Sequence, residues 1–162
     1  MWAGGHDCHL IIVGKQGWDG QVTGRPTVAE TTQRWRNHPE WGRRLHWLQG
    51  ITDEELNSLY QDCDCLIAAS EGEGFGLPLI EAAQHGISII ARDIAVFREV
   101  AGHAAFYFNC LDPTDLAHEI KRWIALYERN EAPMCTDMTW LTWHQSATML
   151  LEKLGLVRTT TQ

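Results

Sequence analysis

Apolar residues in this chain fall in short continuous runs. Leu10-Ile11-Ile12-Val13 is closed by Gly14, and Leu45 to Leu48 leads to Gly50. Cys65 to Ser70, Ile87 to Ala91 and Ala104 to Phe108 repeat the pattern. Continuous runs of this length predict strands covered on both faces. Between them lie stretches with few breakers, which predict helices over Thr27–Asn37, from Thr52 onward, over Leu77–Gln84, Ala95–Val100, Asp112 to about Arg129, and Thr139–Leu154. Strand and helix alternate along the chain. The expected fold class is therefore α/β: a doubly wound, mostly parallel sheet with helices on both faces. Right-handed crossovers place the strand-to-helix loops at the carboxyl edge, where such sheets bind ligands.

Local signals sharpen the boundaries. Thr52 and Glu55 have the spacing of a capping box. Leu56, Leu59 and Tyr60 form the apolar stripe of the helix they open. Pro78 falls in a first helical turn, where its missing N–H costs nothing. Gly86, Gly102 and Gly155 stand as helix stops. Arg129–Asp137 reads as a flexible joint, and residues 159–162 as a frayed tail behind a single domain over residues 1–158.

Composition removes several function classes. Thirteen Lys and Arg against 21 Asp and Glu give a net charge of -8. A nucleic-acid backbone is thereby an unsuitable main partner, because counterion release needs clustered cations. One phosphate can still be held by backbone N–H groups. No run of apolar residues is long enough to span a bilayer, and no basic stretch followed by an apolar one marks a leader, so a cytoplasmic location is expected. The five cysteines include no C-x2-C pair, which points to neither a disulfide framework nor a zinc site. Cys63 and Cys65, two apart, read as small core residues on one strand face. His6 and His9 flank Cys8 without further ligands at a recognisable spacing, so no metal and no cofactor are expected.

The chemistry concentrates in Ser70-Glu-Gly-Glu-Gly-Phe-Gly-Leu-Pro-Leu-Ile-Glu81, between a strand end and a helix start. Gly72, Gly74 and Gly76 let the backbone bend sharply and approach a ligand closely. The helix start leaves N–H groups and a partial positive charge facing the loop, suited to an anion such as a diphosphate. Glu73 and Glu81 flank that opening. Carboxylates repel phosphate and accept hydrogen bonds from hydroxyls, so the combination describes a nucleotide sugar. Taken alone, a glycine-rich turn is a weak signal, and Glu81 also fits a solvated helix position. The spacing is neither the dinucleotide fingerprint nor a P-loop.

The stretch Glu73-Gly-Phe-Gly-Leu-Pro-Leu-Ile-Glu81 resembles the E-x7-E motif of retaining GT-B glycosyltransferases, specifically glycosyltransferase family 4. The similarity runs in order from Leu10 to Leu154. It includes Leu48-Gln-Gly-Ile-Thr-Asp-Glu-Glu-Leu56, Ile89-Ile-Ala91, Arg98-Glu-Val100, Asp112-Pro113 and Thr142-Trp143. The resemblance implies the carboxy-terminal, donor-binding half of a two-domain enzyme, Rossmann-like in fold. It assigns Glu73 to the transferred sugar as the catalytic residue and Glu81 to the nucleotide ribose. The amides of Gly74, Phe75, Gly76 and Leu77 would meet the sugar and diphosphate, Ile51 the base, and Gly14 and Lys15 the phosphates; Lys15 equally fits a solvated loop. The implied reaction transfers a hexose, with retention and without a metal, from a nucleotide-diphosphate sugar to a glycan or lipid-linked acceptor.

The chain departs from the family in its first residues. The family's half begins with another strand, followed by an Arg and a Lys that clamp the diphosphate, and nothing before Leu10 supplies them. That strand lies between those at Leu10 and Leu66. Without it, two edges need closure by direct pairing, by a neighbouring chain, or by residues outside the coordinates. The chain is expected to lack its acceptor-binding half, to be inactive alone, and to meet a membrane only peripherally through the full-length enzyme. Eight tryptophans, with Trp35 and Trp41 near one helix and Trp140 and Trp143 in another, read as core or as patches favouring self-association. Two alternatives remain: a non-catalytic interaction module of the same fold, and a nucleotide-sugar epimerase.

Overall fold

The computed structural model describes residues 2–15 and 26–156. The loop expected over Lys15–Gly20 lies outside them beyond Lys15, as do Trp18 and the tail. The chain divides into two compact units, Met1–Leu59 and Tyr60–Gln162.

In the first unit, β1 (Leu10–Val13) and β2 (Leu45–Leu48) pair in parallel, with Leu10 opposite Leu45 and Val13 opposite Leu48. Between them runs α1 (Val28–Arg36). Its start is fixed by a capping box: the Glu30 N–H donates to Thr27 Oγ1 at 3.2 Å, and the Thr27 N–H to Glu30 Oε2 at 2.8 Å. Trp35 of α1 packs edge-on against Trp47 of β2, ring centroids 5.5 Å apart. Trp41 lies beyond α1, in the turn that bridges to Leu45. Trp2–Gly4 form a 3-10 turn, and no strand precedes β1 among the described residues. Among the described residues β1 pairs on one side only.

α2 (Asp53–Asp62) opens on the capping box expected from Thr52 and Glu55, with reciprocal bonds of 2.7 and 3.2 Å.

In the second unit, β3 (Cys65–Ala68), β4 (Ser88–Arg92) and β5 (Phe106–Phe108) form a parallel sheet in that order. β4 is central, and Ile89, Ile90 and Ala91 are wholly buried. Its side chains alternate between two cores. On one face Ile89, Ala91 and Ala68 pack with Leu79 and Ala82 of α3 (Leu77–Gln84) and with Phe97 and Ala101 of α4 (Ala95–Ala101). On the other, Ile90, Phe106 and Phe108 pack against Trp123 of α5 (Pro113–Glu128). Helices therefore cover both faces of this sheet, which explains the continuous apolar runs in its sequence. α5 begins where Asp112 Oδ1 accepts the Thr114 N–H at 2.7 Å, with Pro113 next in the chain.

Several local expectations are corrected. The last helix, α6 (Trp143–Lys153), starts later than Thr139, because Thr142 caps it by accepting the Gln145 N–H at 3.2 Å. Trp140 accordingly precedes the helix. The segment Arg129–Asp137, expected as a flexible joint, is anchored near its end. Cys135 sits in the core at 1% exposure, and its thiol donates to the Ile87 carbonyl at 3.2 Å. Cys63 precedes β3 instead of sharing a strand face with Cys65. α6 buries no residue; Trp143, Leu150 and Leu154 are exposed along it.

Candidate functional site

The residues expected to bind a ligand collect at carboxyl edges. In the first unit, Gly14 and Lys15 follow β1, and Gly50 and Ile51 follow β2, so parallel pairing brings Gly14, Lys15 and Ile51 to one edge of that ladder. Gly14 is pinned there. Its N–H donates to the Leu48 carbonyl at 3.1 Å, and its carbonyl accepts the Trp47 indole N–H at 2.9 Å. Lys15 is exposed and Ile51 half-buried. A cavity of about 270 Å³ opens beside Gly14 and Lys15, lined in part by Val13, Thr31, Trp35 and Trp47; Ile51 does not line it.

In the second unit, the loop from Ala69 to Gly76 joins the end of β3 to α3. Its geometry corrects one expectation. Of the three alternating glycines, only Gly76 takes a left-handed conformation, at φ 77°. A side chain there is doubly disfavoured, since a Cβ would lie 3.3 Å from Phe97 Cδ1. Gly72 and Gly74 have open space around them and ordinary dihedrals, so the turn does not require them.

Gly76 ends the loop as the N-cap of α3, and no side chain caps this helix. Among the described residues, the N–H groups of Gly74, Phe75, Gly76 and Leu77 have no protein acceptor. Four successive unengaged amides at a helix N-terminus form an anion-binding surface. Phe75 and Leu77 stand exposed beside it. The two cations nearest in sequence to this edge are already engaged. Arg92 donates from Nε to the Ala69 carbonyl at 3.0 Å and from Nη1 to the Cys110 carbonyl at 2.7 Å. Arg98 forms a two-pronged pair with Asp93, at 2.7 and 2.8 Å, over the Tyr107 ring. The guanidinium holds the Asp93 carboxyl below its ordinary range, chiefly through that hydrogen bond.

The two flanking carboxylates differ. Glu73 is exposed and has no protein partner among the described residues. Glu81 is half-buried, and its Oε2 accepts the Tyr60 hydroxyl at 3.0 Å. The polar roles of Arg92 and Tyr60 are not predicted by the sequence. An arginine closing a buried strand just before Asp93 was the available signal for the first. In the sequence Tyr60 stands in an apolar stripe and in the segment that resembles the family, and neither signal shows its polar role.

A parallel α/β scaffold with a glycine turn and open amides at its carboxyl edge has a geometry that suits an anion. The chain belongs to the family described as glycosyl transferases group 1, whose profile matches residues 3–134. It is 46% identical over 157 residues to the serotype-specific mannosyltransferase WbdA of Escherichia coli, covering 97% of this chain and 18% of that protein. It is 32% identical over 118 residues to the O-antigen chain mannosyltransferase RfbU of Salmonella typhimurium, covering 70% of this chain and 33% of that one. The chain thus spans a third or less of the length of these two curated relatives. The crystal structure of Anabaena Alr3699/HepE in complex with UDP superposes with a TM-score of 0.63 at 19% identity, over 93% of this chain and 41% of that one. That likeness establishes the shared fold. No helix among the described residues is long and apolar enough to cross a membrane.

Proposed function

We propose that residues 1–158 are the donor-binding domain of a metal-independent, retaining hexosyltransferase of glycosyltransferase family 4. It would pass a hexose from a nucleotide-diphosphate sugar to a glycan or lipid-linked acceptor in polysaccharide assembly. The observation that carries this reading is the run of unengaged amides from Gly74 to Leu77, flanked by Glu73 and Glu81. The relatives named as mannosyltransferases support mannose as the hexose. The fold neighbour crystallised with UDP and with UDP-glucose supports a nucleoside diphosphate as part of the ligand.

In this reading, breaking the bond between the anomeric carbon and the diphosphate oxygen sends the electron pair to the phosphate. The amides of Gly74, Phe75, Gly76 and Leu77 and the N-terminus of α3 meet that growing negative charge without reorganising. Glu73 orients the sugar and faces the positive charge growing on its ring. Glu81 accepts hydrogen bonds from the ribose hydroxyls. The family resemblance assigns Ile51 to the base, and Gly14 and Lys15 to the phosphates. A donor domain needs an acceptor-binding half, so this chain alone transfers no sugar and binds nucleotide weakly. The complete enzyme would work in the cytoplasm, peripheral to the membrane, and the exposed apolar residues of α6 would favour self-association.

The test is Glu73→Gln in a longer enzyme that carries this chain. Glu73 is exposed and makes no hydrogen bond or ion pair among the described residues, so folding should be unchanged, while turnover falls about a hundredfold with donor affinity retained. Full turnover in that variant would overturn the assignment.

A further inference from the structure

The Glu81 carboxylate is held by a neutral partner. Tyr60, near the end of α2, donates its phenolic hydrogen to Glu81 Oε2 at 3.0 Å, across 21 residues of sequence. The Tyr60 ring is itself fixed. One face stacks on His85 at 5.1 Å between centroids and 9° between planes, and the ring packs against the core cluster that contains Leu79. Glu81 and His85 are four apart, so α3 presents both on the face that meets Tyr60. The phenol cannot turn away without losing the stack.

The consequences are chemical. A carboxylate paired with arginine has much of its charge spent on that cation. One held by a phenol keeps its full charge and strong acceptor character for further donors. Among the described residues Oε1 and the second lone pair of Oε2 have no donor, which leaves room for two hydroxyls. Burial, the hydrogen bond and the Glu81 charge all favour the protonated phenol, so Tyr60 stays a donor at neutral pH. Ordering a long side chain before the ligand arrives removes a cost that binding would otherwise carry.

We infer that Tyr60 is the positioning residue for Glu81, and that through it the site selects ribose over deoxyribose in a nucleoside diphosphate; this rests on the ribose role proposed above for Glu81. Tyr60 touches no substrate in this arrangement. It acts by presenting the carboxylate, and His85 acts by presenting Tyr60.

The experiment titrates the whole chain with UDP and GDP, each against its 2′,3′-dideoxy counterpart, and follows binding by NMR. The readout is the ratio of the two affinities, which general loosening of the fold does not move, because base and phosphates are common to both. Tyr60→Phe keeps the ring and its stack and removes only the donor. The expected result is a wild-type preference for the ribonucleotide, a ratio near one in Glu81→Ala, and a ratio about three- to tenfold below wild type in Tyr60→Phe. Loss of preference in Glu81→Ala with the wild-type ratio in Tyr60→Phe overturns the positioning role alone. A wild-type ratio in Glu81→Ala, or no ribose preference in the wild-type chain, overturns the ribose reading and the positioning role with it.

Discussion

Arg92 Nε donates to the Ala69 carbonyl at 3.0 Å, so the last residue of β4 holds the first residue of the loop that carries Glu73. Its Nη1 reaches the Cys110 carbonyl on the other side, at 2.7 Å, and its guanidinium lies over the Phe108 ring. One side chain thus ties together the ends of three parallel strands. The carbonyls just past β3 and β5 have lost their ladder partners, and the planar fork of arginine suits two divergent acceptors.

Replacing Arg92 with Met should therefore lower stability by about 1–2 kcal/mol, from two charge-assisted bonds lost, one at the exposed Ala69 carbonyl and one at the half-buried Cys110 carbonyl. Lys, which cannot reach both carbonyls at once, should recover about half of that. Urea denaturation of the three proteins decides the matter, and a wild-type midpoint for Arg92→Met would show that water replaces the arginine without loss.

Gly76 and Gly74 make a matched pair. Gly76→Ala forces a side chain into a left-handed conformation and against the Phe97 ring, at a cost of about 1–3 kcal/mol. Gly74→Ala meets open space at an ordinary φ and should be neutral or stabilising by less than about 1 kcal/mol. Thermal melts of both variants should separate clearly. Equal melts would mean that the turn relaxes to accept a Cβ.

Tyr60 should appear in the alkaline limb of the stability profile. Burial, then the hydrogen bond and charge of Glu81, raise its pKa well above the ordinary tyrosine range. In the unfolded chain the phenol titrates near pH 10 (roughly). A group whose folded pKa is raised stabilises the fold fully below its unfolded pKa, and that contribution is lost as pH rises toward the folded value. Stability should thus fall above about pH 10, and Tyr60→Phe should make the fall shallower. Tyr107 and Tyr127 are also shifted upward, so the slope should persist in part. Identical slopes in denaturation curves above pH 10 (approximately) would remove Tyr60 as a contributor.

Much of this was legible beforehand, for local reasons. Thr52 with Glu55, Asp112 with Pro113, and Gly86, Gly102 and Gly155 act within one turn of chain, and the elements begin and end where these residues place them. The late start of α6 hinged on a cap at Thr142 competing with apolar residues upstream of it. The anchoring of the segment around Cys135 hinged on a thiol reaching Ile87, 48 residues away. The candidate site divides in the same way. Its amides and its two carboxylates lie within nine residues of sequence, whereas the residues that hold the loop and orient Glu81 come from β4 and α2.

The order of residues alone determined the strands, the helices, their parallel arrangement in the described sheets and the stretch from Glu73 to Glu81, because hydrophobic period, caps and glycine dihedrals act over a few bonds. Only the tertiary structure decided that Gly76 is the one glycine of that loop with a left-handed backbone, that Arg92 binds carbonyls, and that Glu81 answers to a neutral phenol. These relationships depend on which side chains packing brings within about 3 Å, and hydrogen bonding at that range is set by directions in space that spacing along the chain does not encode.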